Sequence, residues 1–438
     1  MLAQARAIHE RVLTLDTHVD INPGNFTKEQ SYATKLATQV NVPAMEEGGL
    51  DAAFFIVFVG QSQDFTAAGF ARAHAEALAK FEAIHRLTGE LAPTRINLAR
   101  NAADVRRIYG SGRKVALIGV ENGYQLGTDL ANVRKFAELG ARYLSLAHNG
   151  HSQLSDSNTG ERDGQWMHHG LSSLGRQVIG ELNRWGIMVD VSHPSKESMM
   201  QTVELTKAPI IASHSAVRAL CNHSRNLDDE QLLGLKKTGG VVQVVAFNSY
   251  LKCQKESPER QQAISALRGD FGGQDMTEAR RAEFQRRLAE IDKNHPPPPR
   301  ATVKDLADHI DYAVKLIGID HVGISSDFDG GGGVDGWRDR DAQRHRRIGP
   351  PGLFRGADRQ TVERQPASGH GKGRAGGPPT PRRCLLRSPP RSVDAAGGLS
   401  AGLAGPCIGF SAGGSRVPCP IVDGSSRWSR LTRPTWIS

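Results

Sequence analysis

The sequence predicts a (β/α)8 barrel. Short apolar, β-branched runs recur eight times along the chain. Helical patterns fill most of the gaps between them. No Gly-rich phosphate turn of the kind a doubly wound sheet carries follows the first run, where "DTHVDINPGN" stands instead. The runs are 12–20 (VLTLDTHVD), 52–59, 115–121, 142–148, 187–193, 209–214, 241–247 and 322–329. Their near-continuous hydrophobicity suits parallel strands covered on both faces. The intervening helices are read at 67–88, 129–139, 174–185, 195–204, 228–237 and 303–317. Residues 254–300 are polar with a helical middle and end in a proline run, as an insertion between the last two strands would.

The barrel is expected over 1–339, followed by a Gly/Pro/Arg-rich disordered tail over 340–438. The formal net charge of +9 belongs to that tail. From Arg340 onward there are 17 Lys/Arg against 5 Asp/Glu, leaving 38 against 41 before it. With one lysine (Lys372) and no aromatic interleaving, the tail does not read as a nucleic-acid binder. One permitted codon choice for "RQTVERQP" (359–366), shifted by one base, reads A-K-L-W-S-G-N-L, a helix-like string; the tail is therefore read as out of frame, with the last barrel helix missing. A lost helix face of roughly 300–500 Å² is worth about 8–12 kcal/mol as an upper bound. Net stabilities are only about 5–15 kcal/mol, so an inactive product of a damaged gene is one reading.

Five cysteines are present, none in a C-x-x-C pair, so neither a disulfide framework nor a thiolate metal site is expected, and Cys221 is taken as packing. No apolar stretch is long enough for a membrane span, and "MLAQARAIHERVL" lacks a signal-peptide core, so a cytoplasmic location is expected.

Polar residues of chemical interest gather at the C-terminal ends of the predicted strands. His18 and Asp20 end the first, Glu121 the third, His148 the fourth, His193 the fifth, His214 the sixth and Asp327 the eighth. In a (β/α)8 barrel these ends share one mouth, where active sites sit. For any one histidine a structural role is the simpler reading. Seven such residues at strand ends point instead to a metal site.

Imidazole and carboxylate without thiolate suit Zn2+ first, with Mn2+ or Co2+ as substitutes. Five ligands exceed one catalytic zinc and fit two ions if Glu121 bridges, one with His18 and Asp20, the other with His193 and His214. Two divalent ions and two carboxylates leave +2, which favours a hydroxide nucleophile. Asp327 is then free to move a proton, and His148 to donate to a developing oxyanion. Arg225, in "HSRNLDD" after the sixth strand, could hold a carboxylate bidentately. Asp190 faces away from His193 and reads as structural; His151, His168 and His169 read as surface residues of a Gly/Ser-rich loop.

The strings "DTHVD", "GVENG", "LSLAHN", "GLSSLGRQVIGELNRWGIMVDVSH", "APIIASHS", "SRNLDD" and "DFDGGGG", in that order over about 12–338, resemble the membrane (renal-type) dipeptidases, the M19 metallopeptidases. The resemblance implies a (β/α)8 barrel with two zinc ions that hydrolyses dipeptides, including those with a C-terminal D-residue. It implies His18, Asp20, Glu121, His193 and His214 as metal ligands, and His148 polarising the scissile carbonyl. It gives Arg225 the free carboxylate and Asp327 the proton transfer. The expected partner is a small dipeptide, with no nucleic acid and a homodimer allowed. Phe247 stands where the family has a carboxylate-holding tyrosine, and the family's final helix with its G-N-L-L-R-V-like segment is not found. Another amidohydrolase reaction, on N-acyl-amino acids, lactones or β-lactams, would use the same metal site.

Overall fold

A computed structural model describes residues 2–271 and 278–335. The expected tail, 340–438, and its reading as out of frame lie outside the described residues. So does any helix following the last strand.

Nine strands are present among the described residues: β1 (Leu15–Asp20), β2 (Ala52–Phe58), β3 (Ile96–Leu98), β4 (Lys114–Glu121), β5 (Ala141–Ser145), β6 (Met188–Asp190), β7 (Ile211–Ser215), β8 (Val241–Val245) and β9 (Val322–Ser325). All pairings are parallel, in the order β1-β2-β4-β5-β6-β7-β8-β9. Past the end of β9, Phe328 bridges to Val19, and its carbonyl accepts from the Asp20 N–H at 2.9 Å, which draws the two ends of the sheet together. This is the predicted eight-stranded barrel. The sequence reading missed β3, which pairs only with the N-terminal half of β4, while β5 takes the C-terminal half. It also missed the helix Ala102–Gly110 that follows β3.

Side chains alternate along each strand. On β2, Ala53, Phe55 and Val57 join the large cluster shared with the helices, while Ala52, Phe54 and Ile56 join a second cluster with Leu117, Tyr143 and Ile211. The helices begin and end as their sequences dictate. Ser172 caps Ser173–Trp185, which stops at Gly186 in the left-handed region (φ 70°). Capping boxes start Asp229–Lys237 (Asp228 with Gln231) and Val303–Ile317 (Thr302 with Asp305). The insertion holds two helices, Pro258–Phe271 and Glu278–Asn294. At the seam of the barrel, Leu15 is 39% and Ile324 38% exposed, a cost for side chains of this kind on strands otherwise covered. Among the described residues no helix is long and apolar enough to cross a membrane.

One expectation is overturned. Cys221 and Cys253 form a disulfide, with Cα atoms 5.1 Å apart. Cys221 is therefore not a packing residue. The bond joins the loop after β7 to the segment after the short helix Asn248–Leu251 that follows β8.

Candidate metal centre

The strand ends deliver all seven predicted residues, and Arg225, to one place. Glu121, the last residue of β4, sits at its centre and is buried. Its two oxygens face different partners. Oε2 lies 3.5 Å from His18 Nε2, and Oε1 lies 3.0 Å from His193 Nε2 and 3.4 Å from His214 Nε2. Asp20 Oδ2 is 3.7 Å from His18 Nε2 on one side, and His148 Nε2 is 3.7 Å from Glu121 Oε1 on the other. Donor atoms within 4.8 Å of one another form three groups: His18, Glu121 and His214; Glu121, His148 and His193; His18, Asp20 and Asp327.

These donors fit divalent cations. The Nε2 atoms of His193 and His214 are 2.9 Å apart. An N–H on one ring and a lone pair on the other would make a hydrogen bond there, but Nδ1 of His193 faces Asn149 Oδ1 and Nδ1 of His214 faces Ser213 Oγ, which places the protons on Nδ1 and leaves both Nε2 lone pairs bare, a repulsion that a cation relieves. Burial, with Arg225 and neighbouring histidines adding, holds both imidazoles well below their ordinary value, in the neutral form that ligates. Burial opposes the charge of Glu121, but His18, His193 and His214 outweigh it and keep the carboxyl well below its usual range. Burial likewise disfavours a charged His18, yet Glu121, Asp20 and Asp327 lift it to about 10. The side chains alone thus draw positive charge into the cage.

Asp327 lies two residues beyond β9 at φ 56°, a conformation that costs a non-glycine residue energy and persists where the surroundings fix it. Its carbonyl accepts from Gly332 N–H at 2.7 Å. A Cβ at Gly330 would overlap the carboxylates of both Asp20 and Asp327, so the backbone can pass only as glycine. Burial pushes the Asp327 carboxyl up to about 8, with Asp20 and Glu121 adding to it against the pull of His18.

Arg225 is 2% exposed. Its Nη2 donates to the His214 carbonyl at 3.1 Å and lies 3.1 Å from His193 Nε2. Its Nε and Nη1 have no hydrogen-bond partner, and a buried donor left unpaired is expensive. The guanidinium lies 5.3 Å from the Tyr250 ring, which in turn stacks on Phe247 at 4.4 Å. The sequence reading singled out Phe247 and passed over Tyr250. An aromatic hydroxyl residue does stand beside Arg225, three positions on, and only the helical turn Asn248–Leu251 reveals it. Asn226 ties the two loops by donating to the carbonyls of Cys221 and Tyr250, both at 2.8 Å.

His148, three residues past β5, packs between Phe58 (4.6 Å) and His193 (4.2 Å) with its ring tilted to both. Asp190 is buried and accepts from Ser192 and Ser213. His169 is exposed. His151 and His168 are half-buried, against Asp156 and the Ser152 carbonyl, and stand in none of the three donor groups.

The profile of the family described as Membrane dipeptidase (Peptidase family M19) matches residues 2–346. Dipeptidase aclJ of Aspergillus oryzae is 31% identical over 309 residues, 70% of this chain and 61% of that protein. Dipeptidase 3 of Mus musculus is 30% identical over 320 residues, 72% of this chain and 51% of that protein. The chain thus spans between half and two thirds of the length of these relatives. The crystal structure of the probable dipeptidase PvdM from Pseudomonas aeruginosa superposes with a TM-score of 0.65 at 30% identity, covering 83% of this chain and 93% of that one. A metallo peptidase from Rhodobacter sphaeroides, liganded with a phosphinate mimic of the dipeptide L-Ala-D-Ala, shares the fold with a TM-score of 0.57 at 22% identity, covering 81% and 94%.

Proposed function

The chain belongs to the membrane dipeptidase family, peptidase family M19, and from that premise we propose that it is a metal-dependent dipeptidase working at the cluster around Glu121. The observation that carries the reading is the division of that carboxylate, with Oε2 toward His18 and Oε1 toward His193 and His214. His18, Asp20 and Glu121 would hold one ion and Glu121, His193 and His214 a second, Zn2+ first, with Mn2+ or Co2+ as substitutes. Bound there, the ions supply Lewis acidity and an acidified water at neutral pH.

The chain's own side chains do the rest. Nε and Nη1 of Arg225 carry N–H donors with no partner of their own, and these are available to the C-terminal carboxylate of a dipeptide. This contact fixes the end of the substrate without reading the configuration of its last residue, so dipeptides ending in a D-residue are included. His148, held between Phe58 and His193, donates to the oxygen of the attacked carbonyl. Asp327, beside His18 and Asp20, takes a proton from the attacking water and passes it to the leaving nitrogen. The partner of such a site is a small dipeptide and not a nucleic acid.

Purified protein supplied with Zn2+ should hydrolyse L-Ala-D-Ala and Gly-dehydrophenylalanine, and a chelator should stop it. A folded, zinc-loaded chain that turns over no dipeptide ends the proposal.

A further inference from the structure

We propose that Tyr143 is a positioning residue that fixes which nitrogen His18 presents to a metal ion. The inference rests on the reading of His18, Asp20 and Glu121 as a metal site. Tyr143 sits on β5 and is fully buried. Its hydroxyl reaches past β4 and β2 to β1, where it donates to the Thr17 carbonyl at 2.9 Å. A phenol has one proton. With that proton committed to Thr17, the 3.0 Å contact between the hydroxyl and His18 Nδ1 must run the other way, the imidazole N–H donating. The proton on Nδ1 is therefore the one His18 keeps. Nε2 is the nitrogen left bare, and it faces Glu121 Oε2 at 3.5 Å and Asp20 Oδ2 at 3.7 Å.

The path of the ring is built into the barrel. Gly119 on β4 is the register partner of Tyr143, and a Cβ there would overlap the phenol ring. Phe54 on β2 packs on the other side, 5.0 Å between centroids. The other two ligand histidines are oriented the same way by different chemistry. His193 Nδ1 lies 3.2 Å from Asn149 Oδ1. His214 Nδ1 lies 2.8 Å from Ser213 Oγ, whose own proton goes to Asp190 at 2.7 Å. Partners of this kind set the tautomer of a ligating imidazole and contribute to metal affinity.

The test is Tyr143→Phe, which keeps the ring and deletes the acceptor. Metal-free wild type and variant are titrated with Co2+ by calorimetry and visible absorption. The proposal expects roughly 10–100-fold weaker binding of one ion, the size usual for loss of such a partner, with the other ion bound as in wild type. Equal affinity in the two proteins overturns it. So does equal weakening of both ions, which would mark a general structural role. If wild type binds no ion at all, the metal reading itself falls and this inference with it. A second measurement does not depend on the variant folding. In 113Cd-loaded wild type with 15N-labelled histidine, cadmium coupling to Nε2 of His18 supports the proposal and coupling to Nδ1 overturns it.

Discussion

Replacing Arg225 by methionine isolates the part of the site that distinguishes a dipeptidase from another amidohydrolase using the same metals. Methionine keeps much of the aliphatic stem beside Tyr250 and removes the guanidinium. Two donors, Nε and Nη1, are buried without partners, and a carboxylate docked on either is largely out of water. Hydrogen bonds to a charged group contribute about 1.5–3 kcal/mol each. The upper end for one such bond, about 3 kcal/mol, corresponds to roughly 150-fold at 1.36 kcal/mol per decade. The substitution also loses the Nη2 bond to the His214 carbonyl, so metal content must be matched before rates are compared. The assay is kcat/KM for L-Ala-D-Ala and for its C-terminal amide, which presents no anion. Arg225→Met should cost about two decades on the free acid and less than about threefold on the amide. An equal fall on both, at matched metal content, would mean that Arg225 acts by supporting His193 and His214, and the carboxylate role would be wrong.

Asp327→Asn should lower kcat by about 10²–10⁴ while bound metal stays near the wild-type amount; an unchanged kcat excludes it as the proton carrier. His309 is buried, its Nδ1 accepting from Val217 N–H and its Nε2 donating to the Leu251 carbonyl, both at 3.0 Å, and burial holds it below its ordinary value. Its contribution is therefore fully present above the unfolded-state value of about 6.5 and declines as pH falls below it, because the unfolded chain then binds a proton the fold refuses. In His309→Gln the slope of unfolding free energy just below about pH 6.5 should be shallower by up to about 1.4 kcal/mol per pH unit; identical slopes in denaturant titrations remove the claim. Cys221→Ser opens a closure of 32 residues, which in the chain-entropy estimate costs about 3–4 kcal/mol. A denaturation midpoint equal to that of the oxidised wild type would refute this stabilisation.

The barrel was legible because parallel strands buried on both faces announce themselves as apolar runs, and the helix read at 303–317 coincides with Val303–Ile317. The runs overshot the strands toward the mouth. The fifth run, 187–193, contains a strand of only Met188–Asp190, and the fourth, 142–148, a strand ending at Ser145. Val191, Leu146 and Ala147 stay buried after the pairing stops, so hydrophobicity continues where the ladder does not. That overshoot is where His148 and His193 stand, on backbone freed from the sheet and still held by packing. The strand Ile96–Leu98 was invisible for the opposite reason: three residues carry no period. The Cys221–Cys253 bond has no local signature, since its partners meet only when the loop after β7 lies against the segment after β8.

The same distinction runs through the candidate metal centre. Each candidate ligand is marked in the sequence by its place at the end of an apolar run. The groups that orient the ligands carry no such mark, because each is selected by position in the closed sheet. Tyr143 reaches His18 across two strands, Asn149 meets His193 from the loop after β5, and Ser213 passes its own proton to Asp190 on β6. Yet once the strand order is known, such groups are required. A buried imidazole that turns Nε2 toward a cation keeps an N–H on Nδ1, and a buried N–H without an acceptor costs about 1–3 kcal/mol. Three candidate ligand histidines therefore need three acceptors, and the structure supplies three, of three different chemical kinds. A chain that kept His18, His193 and His214 but lost Tyr143, Asn149 and Ser213 would retain the sequence signature of the site, and its histidines would have no fixed nitrogen to offer a metal.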